Sequence, residues 1–188
     1  IYMSATADRM IEAWKNMGRI DDNHIFSVPK DYSYIKSGML YNNNAERRAL
    51  LDEIPENEKA VVFVNSRKEL VKLSEEYGES AAYYCSSNNS GGALDRLEDC
   101  VKGGLLQKKI LFTTVALYNG VDIKDKSLKH IFIELWHPVD VIQAIGRKRP
   151  VDAEDTCTVY FRRMAKGQAK GQLENIKYLL EPGAKWWE

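Results

Sequence analysis

Hydrophobic and polar positions follow two rhythms along this chain. KAVVFVNS (59–66) is a short β-branched run without polar alternation, as a strand covered on both faces requires. RKELVKLSEEYG (67–78) follows at helical spacing, with Leu70, Val71, Leu73 and Tyr77 on one side and Gly78 as the stop. SAAYYCSS (80–87) predicts a second strand and NNSGG a loop. ALDRLEDCVKGG (93–104) predicts a helix with Leu94, Leu97 and Val101 on one side, closed by Gly103 and Gly104.

Three more strands are predicted at KKILFTT (108–114), LKHIFIEL (128–135) and DTCTVYFRR (155–163). A helix is expected through VDVIQAIGRK up to Pro150, and a last one over 167–180. Strands and helices joined by short connections predict parallel βαβ units: an α/β domain with a parallel sheet covered by helices on both faces. Upstream, 7–17 reads as a helix and 23–29 as a short strand. The polar, tyrosine-rich 31–44 reads as a linker into the helix AERRALLDEI. DEIP (52–55) ends that helix rather than a strand, so it reads as a solvated helix end and not as a magnesium-binding box.

Composition narrows the function classes. The chain has 188 residues with 27 basic and 27 acidic side chains. That balance argues against a field drawing the whole surface onto nucleic acid or membrane, yet leaves room for a local basic strip. No apolar run approaches the ~20 residues of a membrane span, and no signal peptide is visible. Cys85, Cys100 and Cys157 are far apart and odd in number, which argues against a disulfide framework or a zinc site and for a reducing cytoplasm. His24, His130 and His137 show no ligand spacing.

In α/β sheets, ligands bind outside the carboxyl ends of the strands. Three chemically suggestive stretches fall there: VNSRKE after the first strand, TTVALYNGVDIK after the third, and QAIGRKR after the fourth. The last places Arg147, Lys148 and Arg149 side by side. Its plain reading is a solvated, cation-rich helix end favoured by the helix dipole. NGVD can be an ordinary Asn-Gly turn, and Ser66 an ordinary helix cap.

Together these stretches resemble the second RecA-like domain of superfamily 2 helicases, over about residues 55–165. QAIGRKR is similar to motif VI (Q-x-x-G-R-x-R), TTVALYNGVD to motif V and VVFVNSRKEL to motif IV. YMSAT at the start resembles motif III, which closes the first RecA-like domain. Four fixed residues of Q-x-x-G-R-x-R arise by chance about once in 10³ chains of this length. It is the order of all four elements, each after a strand, that carries the resemblance.

The resemblance implies that residues 1–45 hold the end of a first RecA-like domain and a linker, and 46–188 the second, RecA-like domain. It implies that Arg147 and Arg149 are arginine fingers, with Gln143 one turn before Arg147 facing the same way. Arg149 fits only the shorter motif pattern, because Pro150 stands where the longer one has arginine. Gly120 and Asp122 would meet the nucleotide, and Gly146 would permit close approach of another backbone. Ser66, Arg67, Thr113 and Thr114 would touch phosphates of a nucleic-acid strand, DNA more than RNA, with Ser86 and Ser87 as weaker contributors. Lys148 would be silent.

No G-x-x-x-x-G-K-[ST] phosphate loop occurs in the sequence. ATP and Mg²⁺ would therefore be held mainly by an N-terminal RecA-like domain of a longer protein, and this chain alone would not hydrolyse ATP. The rival expectations are a catalytically inactive RecA-like binding or scaffold module, and a flavodoxin-like or glycosyltransferase-like nucleotide binder.

Overall fold

The computed structural model describes residues 8–25, 31–85, 94–118, 121–167 and 169–170. The elements, in chain order, are α1 (Asp8–Asn16), β1 (Ile35–Tyr41), α2 (Asn44–Asp52), β2 (Lys59–Phe63), α3 (Arg67–Tyr77) and β3 (Ala81–Tyr84). They continue with α4 (Leu97–Cys100), β4 (Val101–Lys102), β5 (Leu105–Leu106), β6 (Ile110–Thr113), β7 (Leu128–Ile133), α5 (Pro138–Ile145) and β8 (Cys157–Arg162).

Six strands form one sheet in the order β1-β8-β7-β2-β6-β3, and every neighbouring pair is parallel. The sequence predicts why. The β2 run is apolar throughout because its alternate residues serve two cores. Ala60 and Val62 join Leu51 of α2 and Leu70 and Leu73 of α3 on one face. Val61 and Phe63 join Ala144 and Ile145 of α5, Leu117 and Leu106 on the other. Phe112 and Phe132, both fully buried on the α3 face, stack with Tyr83 and Tyr160 respectively.

Several expectations are corrected. The stretch 31–44 is not simply a linker, since β1 lies in it and pairs with β8 at the sheet edge. The sheet thus begins before the expected boundary at residue 46. Residues 23–25 form no strand: Asp22–His24 is a 3₁₀ turn capped by the Asp21 carboxylate, and the rest of 23–29 lies mostly outside the described residues.

The helix expected over 93–104 is one turn, α4, followed by the two-stranded ribbon β4-β5. Gly103 and Gly104 have φ of 60° and 83°. Positive φ at both central positions makes a two-residue hairpin turn of the I′ kind, so the glycines turn a hairpin rather than close a helix. Asp52 does end α2, exposed to solvent, as expected for DEIP. YMSAT, Ser86, Ser87 and most of the helix expected over 167–180 lie outside the described residues.

Candidate nucleotide and strand-binding edge

Because all six strands run parallel, their carboxyl ends share one edge, and the register keeps them level. Phe63 pairs with Thr113 and with Ile133, and Ile133 pairs with Phe161. The loops after β2, β6 and β7 therefore open side by side. The crossover after β2 goes to the α3 face and that after β7 to the α5 face, so the two loops diverge at the β2–β7 junction. Such a divergence is where open α/β sheets form their crevice. Asn65 Nδ2 donates to the Glu134 carbonyl across it.

Helix α5 begins with Pro138, whose fixed φ suits the first helical position. It ends at Ile145, short of the expected Pro150. Gly146 caps it with φ −65° and ψ −6°, and the Arg147 and Lys148 amides close tight turns onto Ala144 and Ile145. Arg149 precedes a proline, which disfavours helical backbone there. A neighbouring segment captures the chain instead. The Ile123 amide donates to the Arg147 carbonyl and the Arg149 amide to the Ile123 carbonyl, each at 2.8 Å, pairing Ile123 with Lys148 in a parallel bridge.

This bridge brings motif-V-like and motif-VI-like residues together. Arg149 Nε donates to Asp122 Oδ1 at 3.0 Å, and Arg147 Nη1 lies 4.0 Å from the same oxygen. Arg147 also donates to the carbonyls of Gln143 and Val121, each at 3.3 Å. Its side chain is 13% exposed, against 51% for Arg149 and 46% for Asp122. Two arginines on one carboxylate at the sheet edge can receive a polyphosphate, whose oxygens suit the guanidinium fork. Gln143 is half-buried beside Arg147, one turn back. Gly120 lies outside the described residues.

Among the described residues no other segment of the chain closes on Gly146. Its φ is one that any residue adopts, and among the described residues a Cβ there would meet only carbonyls of its own helix, Ile142 O at 3.1 Å. The close-approach glycine is Gly104. The Lys124 amide donates to its carbonyl at 2.9 Å, and a Cβ would meet Asp122 O at 3.4 Å. The hairpin turn thus supports the loop carrying Asp122.

Of the strand-contact candidates, Ser66 and Arg67 are exposed at the start of α3. Ser66 Oγ accepts from the Glu69 amide at 3.2 Å, so the capping role is realised and leaves the hydroxyl at the edge. Thr113 and Thr114 differ from expectation. The Thr113 side chain is fully buried and donates to the Thr114 carbonyl, and Thr114 is 7% exposed with its hydroxyl accepting from the Ala116 amide. Their hydroxyls are used internally, because β6 is a central strand and Thr114 caps the following 3₁₀ turn.

Lys148 also departs from expectation. Its side chain is fully buried, with Nζ 2.7 Å from Asp155 Oδ1 and 3.4 Å from the Asp125 carbonyl. Asp155 accepts further from Lys129 and from the Val151 amide. Burial alone would raise the Asp155 pKa, but Lys148 and the Val151 amide outweigh it and hold the carboxyl below its ordinary value. A solvated lysine is excluded.

A second buried cluster at the same edge escaped sequence reasoning. Glu134, just after β7, accepts from Tyr41 at 2.8 Å and Arg47 at 2.6 Å on Oε1, and from Arg162 at 2.8 Å on Oε2. Glu69 of α3 lies 3.4 Å from Arg47 and 3.6 Å from Arg162. Burial disfavours the Glu134 charge, yet the two guanidinium groups and the tyrosine hydroxyl win and lower its pKa. Burial, with Glu134 nearby, pushes Glu69 up. One signal was present: Arg47 falls four residues before the core residue Leu51, on the buried face of α2.

A profile of the helicase conserved C-terminal domain matches residues 45–149, more than half of the chain. No curated protein matches it in sequence. Among solved structures, a point variant of S. cerevisiae Dbp5 bound to RNA and ADP BeF3 is similar with a TM-score of 0.62 at 19% identity. It covers 95% of this chain and 48% of its own. A second structure of S. cerevisiae Dbp5 bound to RNA and ADP BeF3 gives 0.58 at 17% identity, covering 96% and 48%. The chain thus spans about half the length of these proteins, and the likeness shows the fold: RecA-like.

Proposed function

The chain belongs to the helicase conserved C-terminal domain family, in superfamily 2, and from that premise we propose that it supplies arginine fingers to an ATP-dependent helicase or translocase. The observation that carries the proposal is the placing of Arg147 and Arg149 on one carboxylate, Asp122, at the carboxyl edge of the sheet. ATP and Mg²⁺ would be held mainly by an N-terminal RecA-like domain of the same protein. When bound, ATP supplies the phosphoryl group whose transfer releases the energy for moving the strand. The residues of this chain bind and neutralise. Arg147 and Arg149 face the developing phosphate charge, Gln143 supports Arg147 through its carbonyl, and Asp122 aims Arg149. Ser66 and Arg67, at the start of α3, offer backbone amides, a hydroxyl and a cation to a strand phosphate.

For the strand we propose RNA in place of the DNA expected from the sequence. What supports this is that both Dbp5 structures contain RNA. The test is steady-state ATPase of the full-length protein with saturating RNA or DNA. Arg147→Ala should lower kcat about 10³-fold or more, with nucleotide and strand affinity little changed. Arg147→Lys should restore only part, because an ammonium cannot present the planar fork. Near-normal turnover in Arg147→Ala would refute the proposal, and stimulation by DNA alone would refute the choice of RNA.

A further inference from the structure

The buried cation between the two arginines has no counterpart in a finger's own chemistry, since it cannot reach a ligand. Lys148 is enclosed, its ammonium held by the Asp155 carboxylate and the Asp125 carbonyl. Asp125 is itself anchored by the Lys59 ammonium, the Leu106 amide and Ser127. A buried ion pair is a poor source of stability, because desolvating both charges offsets most of their attraction, and its best-attested use is to fix register.

Register matters here because of how the backbone runs. Past Ile145 the chain makes the tight turns onto Ala144 and Ile145 and enters the bridge with Ile123 at Lys148. In a continued helix, residues 147 and 149 would point about 200° apart; here both side chains reach Asp122 while that of Lys148 is buried. With Lys148 drawn inward, Arg147 and Arg149 must both turn outward, and both meet Asp122.

We infer that Lys148 is the positioning residue for both arginines: its ammonium, clamped between Asp155 and the Asp125 carbonyl, holds residue 148 in its bridge with Ile123 so that the two guanidinium groups face Asp122 together. This rests on the reading of Arg147 and Arg149 as fingers. An apolar residue of the same length would fill the space but could not select the register, because it has no directed partner.

Lys148→Met in the full-length protein tests it. Asp155 then retains Lys129 at 3.3 Å and the Val151 amide at 3.1 Å, so its charge is not stranded. The expected result is a kcat lowered about 10²-fold, the scale for sub-ångström to 1 Å misplacement, with ATP KM within about twofold. Hydrogen exchange at the Ile123 and Arg149 amides should speed up at least about tenfold, while Val62 and Phe132 stay protected, as local opening requires. A merely structural lysine would move melting and exchange across the whole sheet together.

Normal turnover, or a fall in turnover without loss of protection at those two amides, overturns the inference. Should Lys148→Met fail to fold, Asp155→Asn is judged by the same criteria, since it keeps one oxygen while removing the charge and the second acceptor that hold the ammonium and the Val151 amide. Arg147→Ala run in parallel separates the two ideas. If that variant still turns over, the finger reading fails and takes this inference with it. If it is inactive while Lys148→Met is normal, only the positioning role falls.

Discussion

Replacing Glu134 by Gln should cost more stability than truncating many core side chains. The carboxylate is 1% exposed and Arg47 is 3% exposed, so neither can recover a lost partner from water. Glutamine keeps the volume, but only one of its two terminal atoms accepts. The other is an NH₂ placed against a guanidinium, or against the Tyr41 hydroxyl and Arg47. Among the described residues, the carboxylate left to Arg47 would be Glu69, at 3.4 Å. Breaking one partner out of a buried pair costs about 3–5 kcal/mol, a fifth or more of the ~5–15 kcal/mol that holds a domain together.

For a domain of this size, ~1 kcal/mol moves the melting midpoint by about 2–4 °C, so a drop on the order of 10 °C is expected. Tyr41→Phe removes only one hydrogen bond to a charged acceptor and should cost about 1.5–3 kcal/mol. The assay is urea unfolding at constant slope, so that a shifted midpoint reads as stability. Glu134→Gln and Arg47→Met combined should cost clearly less than the sum, since each removes the other's reason for penalty. A folded Glu134→Gln protein within about 1 kcal/mol of the parent would refute this account of the cluster.

Stability should be flat near neutrality and fall on acidification. Glu134, Asp125 and Asp155 have pKa values depressed in the folded state, so their contribution is present above the unfolded values near 4 and is lost as pH falls through and below them. Glu69, raised, works in the opposite sense, and the melting midpoint against pH should show the three outweighing it. Ser66→Ala should cost about 1 kcal/mol through the lost cap, whereas Ser66→Asp keeps the cap and sets a negative charge against strand phosphates. Unchanged RNA affinity in Ser66→Asp, measured by fluorescence anisotropy, would remove Ser66 from the strand groove. Gly104→Ala, at φ 83°, should cost at least about 1–2 kcal/mol by urea unfolding, while Ala at Gly78, whose φ is 52° at the exposed end of α3, also pays the left-handed penalty but leaves the Asp122 loop untouched.

How far the sequence carries depends on whether one rhythm holds across a segment. β2 was legible because both its faces are buried, and α3 because Leu70 and Leu73 keep helical phase between Ser66 and Gly78. β1 was not, because an edge strand buries little: among Ile35–Tyr41 only Tyr41 is fully enclosed, so its apolar pattern is that of a loop. Residues 93–104 misled because Leu94, Leu97 and Val101 fit a helix while the decisive fact, two successive positive φ values, is a conformational property of Gly103 and Gly104. At QAIGRKRP the cations are plain in the sequence but the backbone is not, since the helix expected up to Pro150 ends at Ile145. Three adjacent cations look alike in the sequence, and only the bridge with Ile123 separates the buried Lys148 from its neighbours.

That difference bears on how a neutral chain can offer positive charge on demand. The pair Lys148–Asp155 is buried, and without Asp155 the ammonium would keep only the Asp125 carbonyl at 3.4 Å, so parting the two is costly. The pair Arg149–Asp122 has about half of each side chain in water, and such exposed pairs contribute only about 0–1 kcal/mol. Exchanging Asp122 for a phosphate oxygen therefore costs almost nothing, while the backbone that presents Arg149 stays where Lys148 holds it. In the proposed reaction the Arg149 guanidinium then meets the nucleotide without first breaking a strong contact. Catalysis by charge stabilisation requires that combination, since donors already in place need no reorganisation when the transition state forms.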